Sequence, residues 1–406
     1  GVVAVDTADA LSARGGSALA EYGSLDSARL FGRLGLGWGE TGFVASAGYM
    51  RGDGVDSFGA GGERDGFESV AASLQAAHRS GPFEIGAVGH WIEGRSEFDG
   101  FDPLTFRRAD TADESRNRIG AVRARARYER GGWEASAEAT FLDSANRNFL
   151  GQTPLNRTAG ARLTLGAQLS KRLGGHTLIA ALDRQAEDFR ARDTAFFSGT
   201  DQDRSRSLTA LVAEWRADWA DFVSTDIAVR RDDFSVFADS TTLRAALLVR
   251  PARGWTVHAA YGEGIAQPTF YDLFGFFPGS FAGNPALRPE RSKGWEAGAR
   301  WEQGGWSVAT TAFTARLADE ILDVFDPATF LSSTANASGR SRRSGVEVAA
   351  TWRHGDAFNF TATYTYLDAD EQQLAGGAEL REVRRPRHSA SLGAWGACGR
   401  LRWGPR

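Results

Sequence analysis

Apolar and polar residues alternate with a period of two through most of this chain. After Gly132, Trp133, Ala135, Ala137, Ala139 and Phe141 fall on one face, with Glu134, Ser136, Glu138 and Thr140 on the other. That pattern predicts a strand with one apolar and one wet face. The preceding run sets Val122, Ala124, Ala126 and Tyr128 opposite Ala121, Arg123, Arg125 and Arg127. Three arginines on one face need water or acidic neighbours, which a polar lumen supplies and a protein core does not. The alternation returns in Phe83, Ile85, Ala87, Gly89 and Trp91, in Trp255, Val257, Ala259 and Tyr261, and in Phe358, Phe360, Ala362, Tyr364 and Tyr366. From Trp133 to Phe141 the chain covers about 26 Å, or roughly 20 Å along the normal once tilted, so the two aromatics sit near opposite edges of a hydrocarbon band.

Turn signals punctuate these runs at Gly39-Glu40-Thr41, Ser80-Gly81-Pro82, Gly131-Gly132, Gly174-Gly175, Ala217-Asp218, Ala252-Arg253-Gly254, Gly304-Gly305 and Gly355-Asp356. They recur about every 35 to 52 residues, each flanked by alternating runs of about 10 to 13 residues, as in hairpins of membrane-length strands. Longer segments rich in Gly and Asp lie between the hairpins. A soluble sandwich has shorter strands and more frequent turns, and a propeller packs four short strands into each such period. The predicted fold is all-β, a large antiparallel transmembrane β-barrel of about 18 strands with a nineteenth beginning near Arg400. A barrel that wide is an aqueous channel or is plugged.

Composition narrows the function. The 47 Lys and Arg stand against 51 Asp and Glu, a net charge of -4 with no nucleic-acid-binding balance. Lys171 and Lys293 are the only lysines, which is a compositional bias. The single Cys398 excludes a disulfide framework and a cysteine-rich metal site, and His78, His90, His176, His258, His354 and His388 are too scattered for a two-histidine zinc motif. No apolar run reaches the length of a membrane helix, which leaves a membrane barrel open. With neither a nucleophile elbow nor a phosphate loop, the chain is not expected to be an enzyme, and Glu134 and Glu138 are read as lumen-lining residues. Gly1 runs directly into Val2-Val3-Ala4-Val5 without a signal peptide, as in a mature or interior piece.

The segment Tyr261-Gly262-Glu263-Gly264-Ile265-Ala266-Gln267-Pro268-Thr269-Phe270, then Asp272-Leu273-Phe274-Gly275, then Gly283-Asn284-Pro285-Ala286-Leu287-Arg288-Pro289-Glu290-Arg291-Ser292 resembles a signature of TonB-dependent outer-membrane receptors. Gly339 with Ser344-Gly345-Val346-Glu347 looks like a strand start of that family, and Gly1-Val2-Val3 like the close of its N-terminal plug. Spacing and loop content most resemble the vitamin B12 (cobalamin) receptors. The resemblance implies a 22-stranded barrel in the bacterial outer membrane that takes up a scarce, bulky nutrient. Cobalamin is the first expectation, and a ferric siderophore or haem the second. A passive porin is the reading the signature argues against. By this pattern residues 1–14 end the plug and link it to the barrel, and residues 15–406 are the barrel domain, truncated at its C-terminus. The TonB-contacting segment would lie upstream of Gly1.

Two consecutive loops are rich in carboxylates, which can clamp Ca²⁺. The resemblance marks Asp56, Glu63 and Asp65 in the first and Asp99 and Asp110 in the second as calcium ligands, although the first loop is shorter than the family's and Glu63 stands where the family has Asp. A solvated acidic rim is the other reading. Phe98 beside the second loop, with Tyr271, Phe274, Phe276, Phe277 and Phe281 in the loop from Gln267 to Pro285, offers aromatic surface to grip a large planar ligand. The same rings also suit packing on neighbouring loops or an interfacial girdle.

Overall fold

The computed structural model describes residues 9–406 apart from 60, 103, 106, 194–200, 276–280, 356, 373–378, 400, 405 and 406. The fold is an antiparallel β-barrel sheet. It begins with β1 (Gly15–Tyr22), β2 (Ala28–Trp38), β3 (Thr41–Gly52), β4 (Phe67–Ser80), β5 (Phe83–Phe98), β6 (Asp113–Arg130) and β7 (Trp133–Leu150). It continues through β8 (Thr153–Leu173), β9 (His176–Asp193), β10 (Asp201–Ala220), β11 (Val223–Phe234), β12 (Ser240–Val249) and β13 (Trp255–Ala266) to one short helix, α1 (Phe270–Phe274). After it come β14 (Glu290–Gln303), β15 (Trp306–Ala318), β16 (Ile321–Asp326), β17 (Leu331–Asn336), β18 (Arg340–His354), β19 (Phe358–Gln372), β20 (Glu379–Arg381), β21 (His388–Cys398) and β22 (Leu401–Trp403).

Each strand pairs with its neighbour in sequence, except that β15 pairs directly with β18 and that β19 pairs with both the short β20 and β21. The β16–β17 hairpin between them stands apart as a separate two-stranded sheet. The predicted nineteenth strand begins at β22, which pairs with β21. Among the described residues, β1 pairs with β2 and no ladder joins β1 to β22.

Which side faces lipid follows from the pleat. Leu74 is 61% exposed, Val122 57% and Trp295 62%, far too open for a core and suited to a hydrocarbon surround. Residues Ala10, Ala13 and Arg14 touch Gly42, Gly35 and Gly37 on the opposite side of the wall, which fixes that side as the interior. There Arg123 meets Glu138 at 2.6 Å and Arg127 meets Glu134 at 3.0 Å, so the strand arginines are answered by carboxylates on β7. Aromatics gather at the short-turn end, where Trp38 stacks on Phe43 and Trp306 on Trp352, and Phe83 meets Tyr128 at a tilt. No described helix is long and apolar enough to cross a membrane.

Two local expectations are corrected. Ala217 and Asp218 do not turn the chain: both lie inside β10, a register shift follows at Asp218/Ala220, and the ladder with β11 resumes at Val223. Asp-containing pairs suit turns and strand ends alike, so the reversal falls a few residues later, at Asp221-Phe222. The wall is also taller than runs of about 10 to 13 residues imply. The 18 residues of β7 and 21 of β8 are joined by only Gly151 and Gln152, with φ +58° at Gly151. Strand pairing continues into water there because both faces of this stretch are polar enough to be solvated.

Candidate binding site at the long-loop end

Three of the five predicted metal ligands meet. Carboxylate oxygens of Glu63, Asp99 and Asp110 lie within 4.8 Å of one another, drawn from the loop between β3 and β4 and the loop between β5 and β6. The approach depends on glycine. A Cβ at Gly62 would overlap Asp110 Oδ2, and Gly54, at φ +67°, packs where a Cβ would overlap the Asp65 carbonyl oxygen. Asp56 accepts the backbone N–H groups of Gly59, Gly61 and Gly62 at 2.5, 2.7 and 3.1 Å, and the Gly59 bond leads in holding its carboxyl below the usual range. Asp65 Oδ2 accepts the Ser57 N–H at 2.8 Å, while Ser57 Oγ donates to Asp99 at 2.7 Å. Asp56 and Asp65 therefore shape the loop, and Glu63, Asp99 and Asp110 form the cluster.

The cluster is under electrostatic tension. A hydrogen bond to Glu63, followed by burial and the charges of Glu63, Asp99 and Asp56, pushes Asp110 up to about 6. Asp110 Oδ1 is buried with no hydrogen-bond partner. Two carboxylates in hydrogen-bonding contact need a proton or a cation between them, so the donor set fits a hard divalent ion.

The aromatic loop divides. Tyr271 stacks on Phe281 with centroids 4.2 Å apart, but Phe281 is only 7% exposed and serves as packing. Phe281 bridges to Ser332 on β17, and Ala282 donates to the Ser332 carbonyl. Phe274 lies under the Arg204 guanidinium at 4.5 Å. Phe98 ends β5 opposite Asp113, exposed beside the carboxylate cluster and apart in sequence from the other rings. Phe276 and Phe277 lie outside the described residues.

The sequence profile described as TonB dependent receptor-like, beta-barrel matches residues 15–406. The chain belongs to that family. A curated relative, the vitamin B12 transporter BtuB of Photobacterium profundum, is 24% identical over 383 residues, covering 89% of this chain and 57% of the relative. The chain thus spans little more than half the length of that relative. Among solved structures, the siderophore receptor PirA from Acinetobacter baumannii superposes with a TM-score of 0.71 at 13% identity, over 94% of this chain and 64% of that one. The hemophore receptor HasR of Serratia marcescens, solved with its hemophore HasA and heme, gives 0.71 at 14%, over 96% and 72%. These likenesses agree on the fold, and the TonB-dependent receptor barrel is an outer-membrane structure.

In this TonB-dependent receptor barrel the signature residues are chiefly anchors. Thr269 and Asp272 close a capping box on α1. Asn284 donates to the Thr334 carbonyl at 2.9 Å, Thr334 Oγ1 donates to the Asp272 carbonyl at 2.9 Å, and Asn336 donates to the Arg288 and Asp319 carbonyls. The loop and the β16–β17 hairpin are thereby locked together. Sequence reading missed the wall beneath them, where Arg206 donates to the Pro268 carbonyl at 2.6 Å and lies 4.5 Å over Phe270, which also stacks on Phe189. The available signal was Arg204 and Arg206 two residues apart, on the inward face of a long strand.

Proposed function

We propose that this chain is the barrel of a TonB-coupled receptor that captures a scarce, bulky nutrient at the outer surface, with vitamin B12 as its first ligand. The observation that carries the reading is the Glu63, Asp99 and Asp110 cluster built from two loops, together with a curated relative that transports vitamin B12. Calcium bound by the three carboxylates, with water or carbonyl oxygens completing its shell, would neutralise their repulsion and order both loops beside Phe98. The receptor would draw energy for release from its partner TonB. No residue here is proposed as catalytic.

Calorimetry on the full-length receptor tests this. Cobalamin affinity should rise on adding Ca²⁺, and the Asp99→Asn/Asp110→Asn pair should abolish that rise. Absence of Ca²⁺ binding would leave a solvated acidic rim.

The pH dependence has a definite sign. Because the folded Asp110 lies above its ordinary 3.8, a proton on it favours the loop pair, and that stabilisation is lost as pH rises through about 6. Calcium competes with the proton, so its affinity should climb between about pH 5 and about pH 7 and then level off. A flat profile over this range would remove Asp110 from the ligand set.

A ferric siderophore or haem is the second reading, favoured by the exposed Arg204 against the Phe274 ring at the mouth, a cation and an aromatic face for an anionic chelate. Quenching titrations with cyanocobalamin and with a ferric catecholate separate the two.

A further inference from the structure

A row of arginines crosses the outer wall above the apolar band. Arg95 on β5 pairs directly with Arg116 on β6, Arg116 with Arg147 on β7, Arg147 with Arg157 on β8, and Arg157 with Arg192 on β9. All five are exposed. They share the face of Trp91, Val122, Phe141, Leu163 and Leu182, which fixes them as outward rather than lumenal. Neighbours across strands stand about 4.5 to 5.5 Å apart at Cβ, and like charges placed so are destabilising. The row therefore stores repulsion that an anion would relieve.

The ends of the row already have anions. Arg95 and Arg116 share Glu114, Arg116 also lies 4.6 Å over the Phe149 ring, and Arg192 meets Asp201 at 2.7 Å. The middle has none. Arg147 and Arg157 make no ion pair among the described residues, and their same-face neighbours along the strands are Ala145, Phe149, Leu155 and Ala159.

Height selects the partner. Arg95 lies four residues beyond Trp91 and Arg147 six beyond Phe141, about 13 to 20 Å along the strand and roughly 10 to 15 Å along the membrane normal. A phospholipid headgroup layer extends only about 5 to 7 Å beyond the hydrocarbon. We propose that Arg147 and Arg157, at the centre of this row, bind the phosphorylated sugar headgroup of an outer-leaflet glycolipid, whose charged groups stand higher than those of a phospholipid. Guanidinium forks match phosphate oxygens in pairs, so a row of them suits a headgroup carrying more than one phosphate.

The test uses the full-length protein in neutral detergent at fixed salt, titrated with bisphosphorylated lipid A, its dephosphorylated form, phosphatidylglycerol and inorganic phosphate. One arginine near an anionic surface adds about fivefold in affinity, so Arg147→Gln/Arg157→Gln should weaken lipid A binding by about thirtyfold. The double variant should be at least as heat-stable as the parent without lipid, since it relieves repulsion, and should lose the stabilisation that lipid A gives the parent. Dephosphorylated lipid, phosphatidylglycerol and free phosphate should distinguish parent and variant by less than about threefold. Unchanged lipid A binding in the variant overturns the proposal, as does an equal loss toward phosphatidylglycerol or phosphate.

Discussion

Replacing Ala137 with arginine is expected to destabilise the barrel by about 2 to 4 kcal/mol, the cost of a charge on a lipid-facing position near the bilayer midplane. Ala137 sits halfway between Trp133 and Phe141 on the outward face of β7, with Ala126 and Ala167 as its direct cross-strand neighbours. No acidic residue stands beside it to receive the guanidinium. Its sequence neighbour Glu138 points inward and meets Arg123 at 2.6 Å, with both side chains well solvated. Such a pair is worth about 1 kcal/mol or less, so Glu138→Ala should shift the unfolding midpoint little. Folding titrations into lipid vesicles read both. Equal losses for Ala137→Arg and Glu138→Ala would reverse or erase the assignment of faces.

That assignment was legible in the sequence because face alternation is a local property. Trp133 to Phe141 carries its own period, and no distant residue is needed to read it. The hairpin turns at Gly131-Gly132 and Gly174-Gly175 were equally plain, since positive φ at Gly131 and Gly174 is a glycine requirement. Reading failed where a cue had two meanings. Ala217-Asp218 looked like a turn, yet its backbone pairs on within β10 until the shift at Asp218/Ala220.

The carboxylate loops were legible in composition but not in shape. Nothing in the order Asp56, Glu63, Asp65 says which side chain turns toward Asp99 and Asp110. That choice is made by the glycines at 59, 61 and 62, which give Asp56 three backbone donors and let Asp110 approach the Gly62 backbone. Gly62→Ala should accordingly disperse the cluster and abolish the proposed calcium response in calorimetry without altering any carboxylate. In the aromatic loop, a count of rings could not tell Phe281, buried against Tyr271, from Phe274 beneath Arg204. Burial there depends on the β16–β17 hairpin, which starts some 40 residues further along the chain.

Glu187→Ala is expected to cost about 3 kcal/mol, because it strands a nearly buried guanidinium. Glu187 on the inward face of β9 accepts from both Arg162 and Arg206; its side chain is 7% exposed and that of Arg206 only 12%. Arg162 is 52% exposed and can turn to water, so the penalty falls on Arg206. The same guanidinium holds the Pro268 carbonyl and covers Phe270, which ties the wall to the start of α1. Loss of Glu187 should thus be felt as faster amide exchange at Thr269 to Leu273 as well as in the unfolding midpoint. Glu187→Leu with Arg206→Leu removes the buried charge altogether and should recover most of the stability, though not the tether to Pro268. Unfolding of Glu187→Ala within about 0.5 kcal/mol of the parent would mean that water already reaches Arg206 and that its charge is not stranded by the loss of Glu187.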